Sequence, residues 1–345
     1  MNDINNHSPH IPVMRDEVLA NIAPKDNEVY VDATFGAGGY SRALLEEANC
    51  NVYAFDRDPN AIARARGWAD QYKGRLILIE APFARMEEML ADHDVEKVDG
   101  IVFDLGVSSM QLDEAERGFS FRHDGPLSMR MDGGKPDIAD IINQAEVEDL
   151  KMIFRVYGEE KRALNLAKAI VKSRQETPIE TTLALSNIIE ANSPNRYAGK
   201  NRKSIHPATR VFQALRIFIN DELGQLAKAL IAAENLLVEG GRLVAVTFHS
   251  LEARIVKRFF ADRSGIAHSS SRHQPMMDMP EPSFRLPFRS QLTPTDEEQG
   301  INPRARSAAL RAGIRTQNTS RGDDIGFAGL PKINFSKSLT LLEIS

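Results

Sequence analysis

The run Val29-Tyr-Val-Asp-Ala-Thr-Phe-Gly-Ala-Gly-Gly-Tyr-Ser-Arg-Ala-Leu-Leu-Glu46 constrains this chain more than any other stretch. Its apolar start, Val29 to Ala33, reads as a strand buried on both faces. Gly36, Gly38 and Gly39 follow, and glycines let the backbone turn sharply and come close to a ligand. A helix is predicted from about Tyr40, whose N-terminus offers unbonded N–H groups to an anion or carboxylate. The next apolar run, Asn51 to Phe55, leads into Asp56, twenty residues beyond Gly36. An acid about 20 residues past a glycine turn suits the hydroxyls of a ribose. A glycine turn alone also occurs where an α/β fold merely turns a corner; with the strand and the spaced acid, it predicts a nucleoside-bearing cofactor.

The pattern then repeats. Asp58-Pro59 opens a helix, with Asp58 as N-cap and Pro59 at the first position. Leu76 to Ile79 is a third strand, shortly followed by Phe83, and Val98 to Leu105 is a fourth, with Asp104 at its end. Alternating strands and helices predict an α/β fold with a doubly wound, parallel, Rossmann-like sheet. Ligands of such sheets sit beyond the carboxyl ends of the strands. Gly36 to Gly39, Asp56, Phe83 and Asp104 all fall at such ends.

After about Gln111 the alternation stops. Helical patterns cover Val147 to Val156, Glu159 to Arg174 and Thr181 to Ala191, and a basic loop spans Pro194 to Ser204. A long helix is predicted from Pro207 to about Val238, with Gly224 as a kink or junction and Glu239-Gly240-Gly241 as its cap. A fifth strand, Arg242 to Phe248, resumes the sheet, Ser264 to Pro282 reads as an exposed loop, and Ser307 to Ile314 reads as a last strand. The expected organisation is a first part of the sheet domain (1–118), an inserted helical domain (119–224), a second part of the sheet domain (225–315) and a polar, mobile tail (316–345).

Composition narrows the setting. The 345 residues are 42% hydrophobic and 26% charged, a globular balance, with no run approaching the ~20 apolar residues a membrane span needs. No signal peptide is visible, and the single cysteine, Cys50, cannot form an intramolecular disulfide; both fit a cytoplasmic protein with no membrane partner. The eight histidines are scattered without H-E-x-x-H or paired Cys/His spacing, so no protein-bound metal is expected. With a net charge of -5, any nucleic-acid contact must come from local basic patches. A homo-oligomer is compatible with all of this.

Dinucleotide enzymes and adenosylmethionine enzymes share the glycine turn and the ribose acid. Gly-Ala-Gly-Gly departs from the strict G-x-G-x-x-G of a dinucleotide site, and the compact polar loop Asp104-Leu-Gly-Val-Ser-Ser-Met-Gln-Leu-Asp113 suits a methyltransferase acting on an amine. Several long strings then carry a resemblance: Asp-Ala-Thr-Phe-Gly-Ala-Gly-Gly-Tyr-Ser (32–41), Phe-Asp-Arg-Asp-Pro (55–59), the loop from Phe103 to Asp113, Gly-Phe-Ser-Phe-Arg-His-Asp-Gly-Pro-Leu (118–127), His-Pro-Ala-Thr-Arg-Val-Phe-Gln-Ala-Leu-Arg-Ile (206–217), Val-Thr-Phe-His-Ser-Leu-Glu (246–252) and Asn-Pro-Arg-Ala-Arg-Ser (302–307). From about residue 8 to 315 the chain resembles the bacterial 16S rRNA cytosine-N4 methyltransferase family. The resemblance implies a class I methyltransferase fold with a helical insertion, S-adenosyl-L-methionine as cofactor, and the 16S rRNA of the small ribosomal subunit as substrate, methylated on a cytosine of its decoding region. It places cofactor contacts on Gly38, Gly39, Tyr40, Asp56, Phe83, Asp104 and Gln111. Two positions depart from the family: Tyr40 stands where many members have His, and Ser128 where Asp is usual.

Asp104 has three readings, a cofactor contact, a cap of the next element, or the acceptor that hydrogen-bonds the cytosine amine and takes up its proton. Methylation at cytosine C5 would need a thiolate nucleophile, and Cys50 lies at the start of the second strand, away from the strand ends. His249-Ser250 invites a hydrolase reading, but no G-x-S-x-G elbow is present, so a structural or substrate-loop role is expected. RNA contact is predicted from Arg196, Tyr197, Lys200, Arg202, Lys203, Arg210 and Arg216, from Arg304, Arg306, Arg311 and Arg315, and from Arg254, Lys257 and Arg258. The competing functions are a nicotinamide-dependent oxidoreductase and a non-enzymatic RNA-binding assembly factor.

Overall fold

The computed structural model describes residues 12–193, 206–266 and 281–340. The chain divides into two units, Met1–Gly106 with Leu223–Leu330 and Val107–Glu222 with Pro331–Ser345.

The first unit holds a seven-stranded sheet in the order β3-β2-β1-β4-β5-β7-β6, made of β1 (Val29–Asp32), β2 (Asn51–Asp56), β3 (Leu76–Glu80), β4 (Val98–Asp104), β5 (Leu237–Thr247), β6 (Phe284–Arg285) and β7 (Ala309–Arg315). The pairs from β3 through β5 are parallel, and β7 runs antiparallel to both its neighbours. This is the α/β Rossmann-like sheet expected, with β7 as the single reversed strand. Val102, Val244 and Val246 share one cluster with the helices Arg15–Ile22 and Gly39–Glu47. Ile101, Phe103, Leu243 and Ala245 alternate with them, are fully buried and lie outside that cluster, so the central strands bury both faces. That is why they read as unbroken apolar runs.

Two expectations at the return to the sheet need correction. The long helix ends after Ile219: Ala208–Ile219 and Glu222–Leu236 are separate helices, with Asp221 at φ 45° between them. Asn220 stops the first. Its Oδ1 accepts from Met131 N at 3.0 Å and its Nδ2 donates to the Met129 carbonyl at 2.8 Å, so a buried side chain outweighs a continuous helical pattern. Gly224 lies inside the second helix. Glu239-Gly240-Gly241 is no helix cap either. The helix passes directly into β5, and Val238 to Gly241 bulge out between the register pairs Val98–Leu237 and Gly100–Arg242.

The second unit is helical. Ile138–Gln144, Val147–Tyr157, Ala163–Arg174, Thr182–Ala191 and Ala208–Ile219 surround a core that also takes Phe119, Leu127, Met129 and Met131 from the aperiodic loop before them. Ser128, the departure from the family pattern, serves through its backbone: its carbonyl accepts from Ile138 N at 3.1 Å.

The expected mobile tail is instead packed. Phe327 stacks edge-on with Phe259 of the Ser250–Arg263 helix, with ring centroids 5.4 Å apart. Farther on, Phe335 meets Phe218 at 5.1 Å, and Ser336 bonds both carboxylate oxygens of Asp149. Its apolar residues are too sparse to make a period, so sequence reading missed them.

Beneath the tail lies a buried ion pair. Arg263 Nε donates to Glu234 Oε2 at 2.8 Å, while Ser283 Oγ and Arg321 N reach Glu234 Oε1. Glu234 is completely buried and Arg263 nearly so. Removing one partner of such a pair leaves an uncompensated interior charge. Glu234→Ala is expected to lower unfolding stability by about 3–5 kcal/mol. Trp68, the only tryptophan, lies in this unit and reports it by fluorescence in urea titration. A loss below about 1 kcal/mol would show that Arg263 is satisfied without its partner.

Candidate functional site

At the tip of β1, Asp32 is fully buried. Its Oδ2 accepts from Ser41 Oγ at 2.7 Å and Ser41 N at 3.1 Å, and its Oδ1 accepts from Thr34 N at 3.2 Å. It therefore ties the strand end to the first turn of the Gly39–Glu47 helix. Gly36 and Gly38 take positive φ values of 53° and 77°. A Cβ on Gly38 would stand 2.5 Å from Trp68 and 2.8 Å from Phe35. Those two rings stack at 5.8 Å, and the Arg42 guanidinium lies 3.8 Å over the Trp68 ring. The turn is thus walled by aromatic rings, and its close approach admits only glycine at position 38. Gly38 itself offers no side-chain cap and Asp32 takes the Ser41 amide, which leaves the Gly39 and Tyr40 amides to a ligand.

Asp56 joins this turn to the tip of β2. Its Oδ2 accepts from Gly36 N and its Oδ1 from Asp58 N, each at 2.8 Å. Asp58 is the N-cap of the Pro59–Ala69 helix, as expected, so Asp56 is not needed for that task. Phe83 opens the turn after β3, with its ring edge-on to Phe103 at 5.8 Å. Asp104 ends β4. Its N–H donates to Thr34 Oγ1 at 2.5 Å, which holds the tips of β1 and β4 together. Its Oδ1 is shielded from solvent and has no hydrogen-bond partner among the described residues.

Electrostatics set these acids apart. Burial pushes Asp32 up to about 6, against three hydrogen bonds that lower it. Burial likewise pushes Asp56 up to about 6, against the Gly36 and Asp58 amides. Asp104 lies well above the usual carboxylate range, first through burial, then through the charges of Asp32 and Glu252. Asp32, Thr34 and Glu252 are the residues that sequence reasoning passed over. An acid and a threonine just ahead of the glycine turn were the available signal for the first two.

Other expected residues are placed differently. The Tyr40 side chain is buried, and its hydroxyl donates to the Val13 carbonyl, so only its backbone is left for a ligand. Gln111 belongs to the second unit. It sits at the third position of the Ser109–Asp113 helix, where its Oε1 accepts from Ser108 N at 3.1 Å in a capping box. His249 caps the Ser250–Arg263 helix, with Nδ1 accepting from Glu252 N and Nε2 lying 3.0 Å from Glu252 Oε1, a structural role that disposes of a hydrolase. Cys50 is buried, and burial pushes its thiol up to about 11.

The basic groups also sort themselves. Arg216 is held by both carboxylate oxygens of Glu222, at 2.8 and 2.9 Å, and Arg315 donates to the carbonyls of Glu234, Ser283, Thr316 and Asn318. These two are structural rather than RNA-facing. Arg210, Arg254, Lys257, Arg258 and Arg306 are exposed, Arg304 and Arg311 half-buried. Arg196, Tyr197, Lys200, Arg202 and Lys203 lie outside the described residues.

A family model, that of the MraW methylase family, matches residues 7–316. Two curated relatives carry the name ribosomal RNA small subunit methyltransferase H. The protein of Brucella suis is 52% identical over 327 residues, covering 94% of this chain and 92% of its own. That of Parvibaculum lavamentivorans is 52% identical over 338 residues, covering 97% and 98%. A solved rRNA methylase from Streptococcus thermophilus is 12% identical, covers 88% of this chain and 95% of its own, and superposes with a TM-score of 0.38.

Asp32 and Asp56 hold protons more tightly in the fold than their ordinary value of 3.8 would allow. A folded state that binds more protons than the unfolded chain loses stability as pH rises. Their contribution is therefore fully present below about pH 4 and lost as pH climbs through about 6. The double variant Asp32→Asn/Asp56→Asn should flatten the fall in urea midpoint across that window, followed by Trp68 fluorescence. Identical slopes in variant and wild type would refute this assignment.

Proposed function

The chain belongs to the MraW methylase family, and from that premise we propose that it is an S-adenosylmethionine-dependent methyltransferase of small-subunit rRNA. We place its product at N4 of a cytosine in the decoding region of 16S rRNA. The observation that carries the reading is the unbonded Oδ1 of Asp104, buried at the tip of β4 beside the glycine turn. A nicotinamide-dependent oxidoreductase loses its support with the family match.

The residues present fit such a cofactor. The Gly38 cradle has no room for a Cβ, and the first amides of the helix, Gly39 and Tyr40, suit a carboxylate. Asp56 stands at the end of β2, where ribose hydroxyls are held, and the half-buried Phe83 offers a ring to an adenine. Gly39 and the Tyr40 backbone belong to the same helix start. Gln111 is assigned on family position alone. The cofactor supplies an electrophilic sulfonium methyl.

The protein supplies orientation and field. Cytosine N4 is a weak nucleophile because its lone pair is delocalised into the ring. Asp104 Oδ1, unclaimed by any donor among the described residues, would accept a hydrogen bond from the exocyclic amine and take up the proton that N4 loses. The β1–β4 tie through Thr34 fixes where that oxygen stands. Chemistry at C5 lacks a nucleophile, since the buried Cys50 thiol stays protonated. Exposed Arg210, Arg254, Lys257 and Arg306 are assigned to RNA phosphates. A substrate in the ribosome places the protein in the cytoplasm, and among the described residues no helix is long and apolar enough to cross a membrane.

In cells lacking the protein, mass spectrometry of small-subunit rRNA should show loss of one N4-methylcytosine. Wild-type protein should restore it, and Asp104→Ala should restore it at least on the order of 10²-fold more slowly. Full restoration by Asp104→Ala would remove that residue from the chemistry. Unchanged rRNA in the deletion strain would favour an assembly factor over an enzyme.

A further inference from the structure

Asp32, Asp104 and Glu252 stand at the tips of β1 and β4 and in the first turn of the helix that follows β5, and those three strands are neighbours in the sheet. No arginine or lysine among the described residues pairs with Asp32 or Asp104. The partners of Asp32 are amides and a hydroxyl, while Asp104 Oδ1 has none. Glu252 is buried and accepts from Phe248 N at 2.9 Å and His249 N at 3.3 Å, with His249 Nε2 at 3.0 Å. The remaining titratable group facing Asp104 is the buried phenol of Tyr40, which is neutral. Glu252 is thus held by its own helix start, while Asp32 and Asp104 are acids without a cationic partner among the described residues, around an oxygen that no described residue satisfies.

Resting on the cofactor reading above, we propose that Asp104, with Asp32 beside it, forms the counter-charge that distinguishes the cationic methyl donor from its neutral-sulfur product, by exchanging a proton for that cation. Donor and product share the adenosine, the amino group and the carboxylate. They differ in one positive charge at sulfur. Burial without a cation makes ionisation costly, so the resting cluster retains protons, Asp104 most firmly. A sulfonium brought to these strand tips stabilises the ionised carboxyls and expels a proton. Once the methyl has passed to the amine, sulfur is neutral and N4 sheds a proton; the acids take a proton back, and the product loses an attraction the donor had. No bond to the protein is made or broken; one proton leaves for solvent on donor binding and returns when the charge disappears.

Linkage fixes the sign: a ligand whose binding releases protons binds more tightly as pH rises. The test is calorimetric titration of the full chain with S-adenosylmethionine and with S-adenosylhomocysteine, without RNA so that no turnover occurs. Runs at about pH 6 and about pH 8.5, in buffers of different ionisation enthalpy, count the protons. Preference for the donor over the product should rise at least about tenfold across that range, with proton release seen for the donor only. Asp104→Asn should lose most of that pH dependence, and Asp32→Asn should reduce it; intact Trp68 fluorescence certifies the fold of each. Equal pH slopes for both ligands, or an undiminished slope in Asp104→Asn, would overturn the proposal while leaving the cofactor reading intact. Failure of either ligand to bind folded protein at any pH would overturn both.

Discussion

Two parallel strands, β1 and β4, lie side by side at the centre of the sheet, and the strand order runs away from them in opposite directions. At such a switch point the loops leaving the two strands diverge and open a crevice at their carboxyl ends. Here one hydrogen bond, from Asp104 N to Thr34 Oγ1, clasps the two tips at the mouth of that crevice. The glycine turn, the Asp32 bonds to the next helix and the Asp56 bond back to Gly36 are all anchored on the same strand ends. The site is rigid because its polar side chains are committed to holding backbone, with one oxygen of Asp104 left over.

That leftover is expensive. A buried carboxyl without a cation costs folding free energy, in proportion to how far it is kept from water and from compensating donors. Asp32 offsets part of that cost with three donors and Asp56 with two, while Asp104 offsets little. Elsewhere in the same unit the chain solves the problem differently, giving buried Glu234 an arginine, a serine and a backbone amide. The contrast between a compensated acid under the tail and an uncompensated one at the strand tip is the observation on which the proposed ligand site rests.

The helical unit follows another logic. The helices around its core are joined to an aperiodic loop whose Met129 and Met131 backbones are bonded by Asn220. The residues that close each unit come late in the chain: Phe327 reaches the Phe259 ring, and Phe335 and Ser336 reach Phe218 and Asp149. Polar segments with one aromatic every few residues contribute single contacts that no periodicity reveals.

Val29 to Asp32, Asn51 to Asp56 and Val98 to Asp104 were legible as strands because a parallel strand buried on both faces must be apolar throughout. Asp58-Pro59 was legible as a helix start because both residues act locally. The family strings, being contiguous, contain the glycine turn, Asp56 and Asp104, whereas Phe83 stood out by its place just after the third strand. What no local rule contained was the break at Asn220, the bulge before Arg242 and the burial of the Tyr40 ring, since each depends on atoms distant in the chain. The same holds for Arg216 and Arg315, whose charges looked available until packing gave them partners. Sequence alone determined the order of elements and the residues standing at their ends, because those follow from local sterics and hydrophobic period. Tertiary structure decided which of those residues are spent on the fold and which one keeps an unsatisfied oxygen, because solvation and hydrogen bonding are properties of the assembled surroundings.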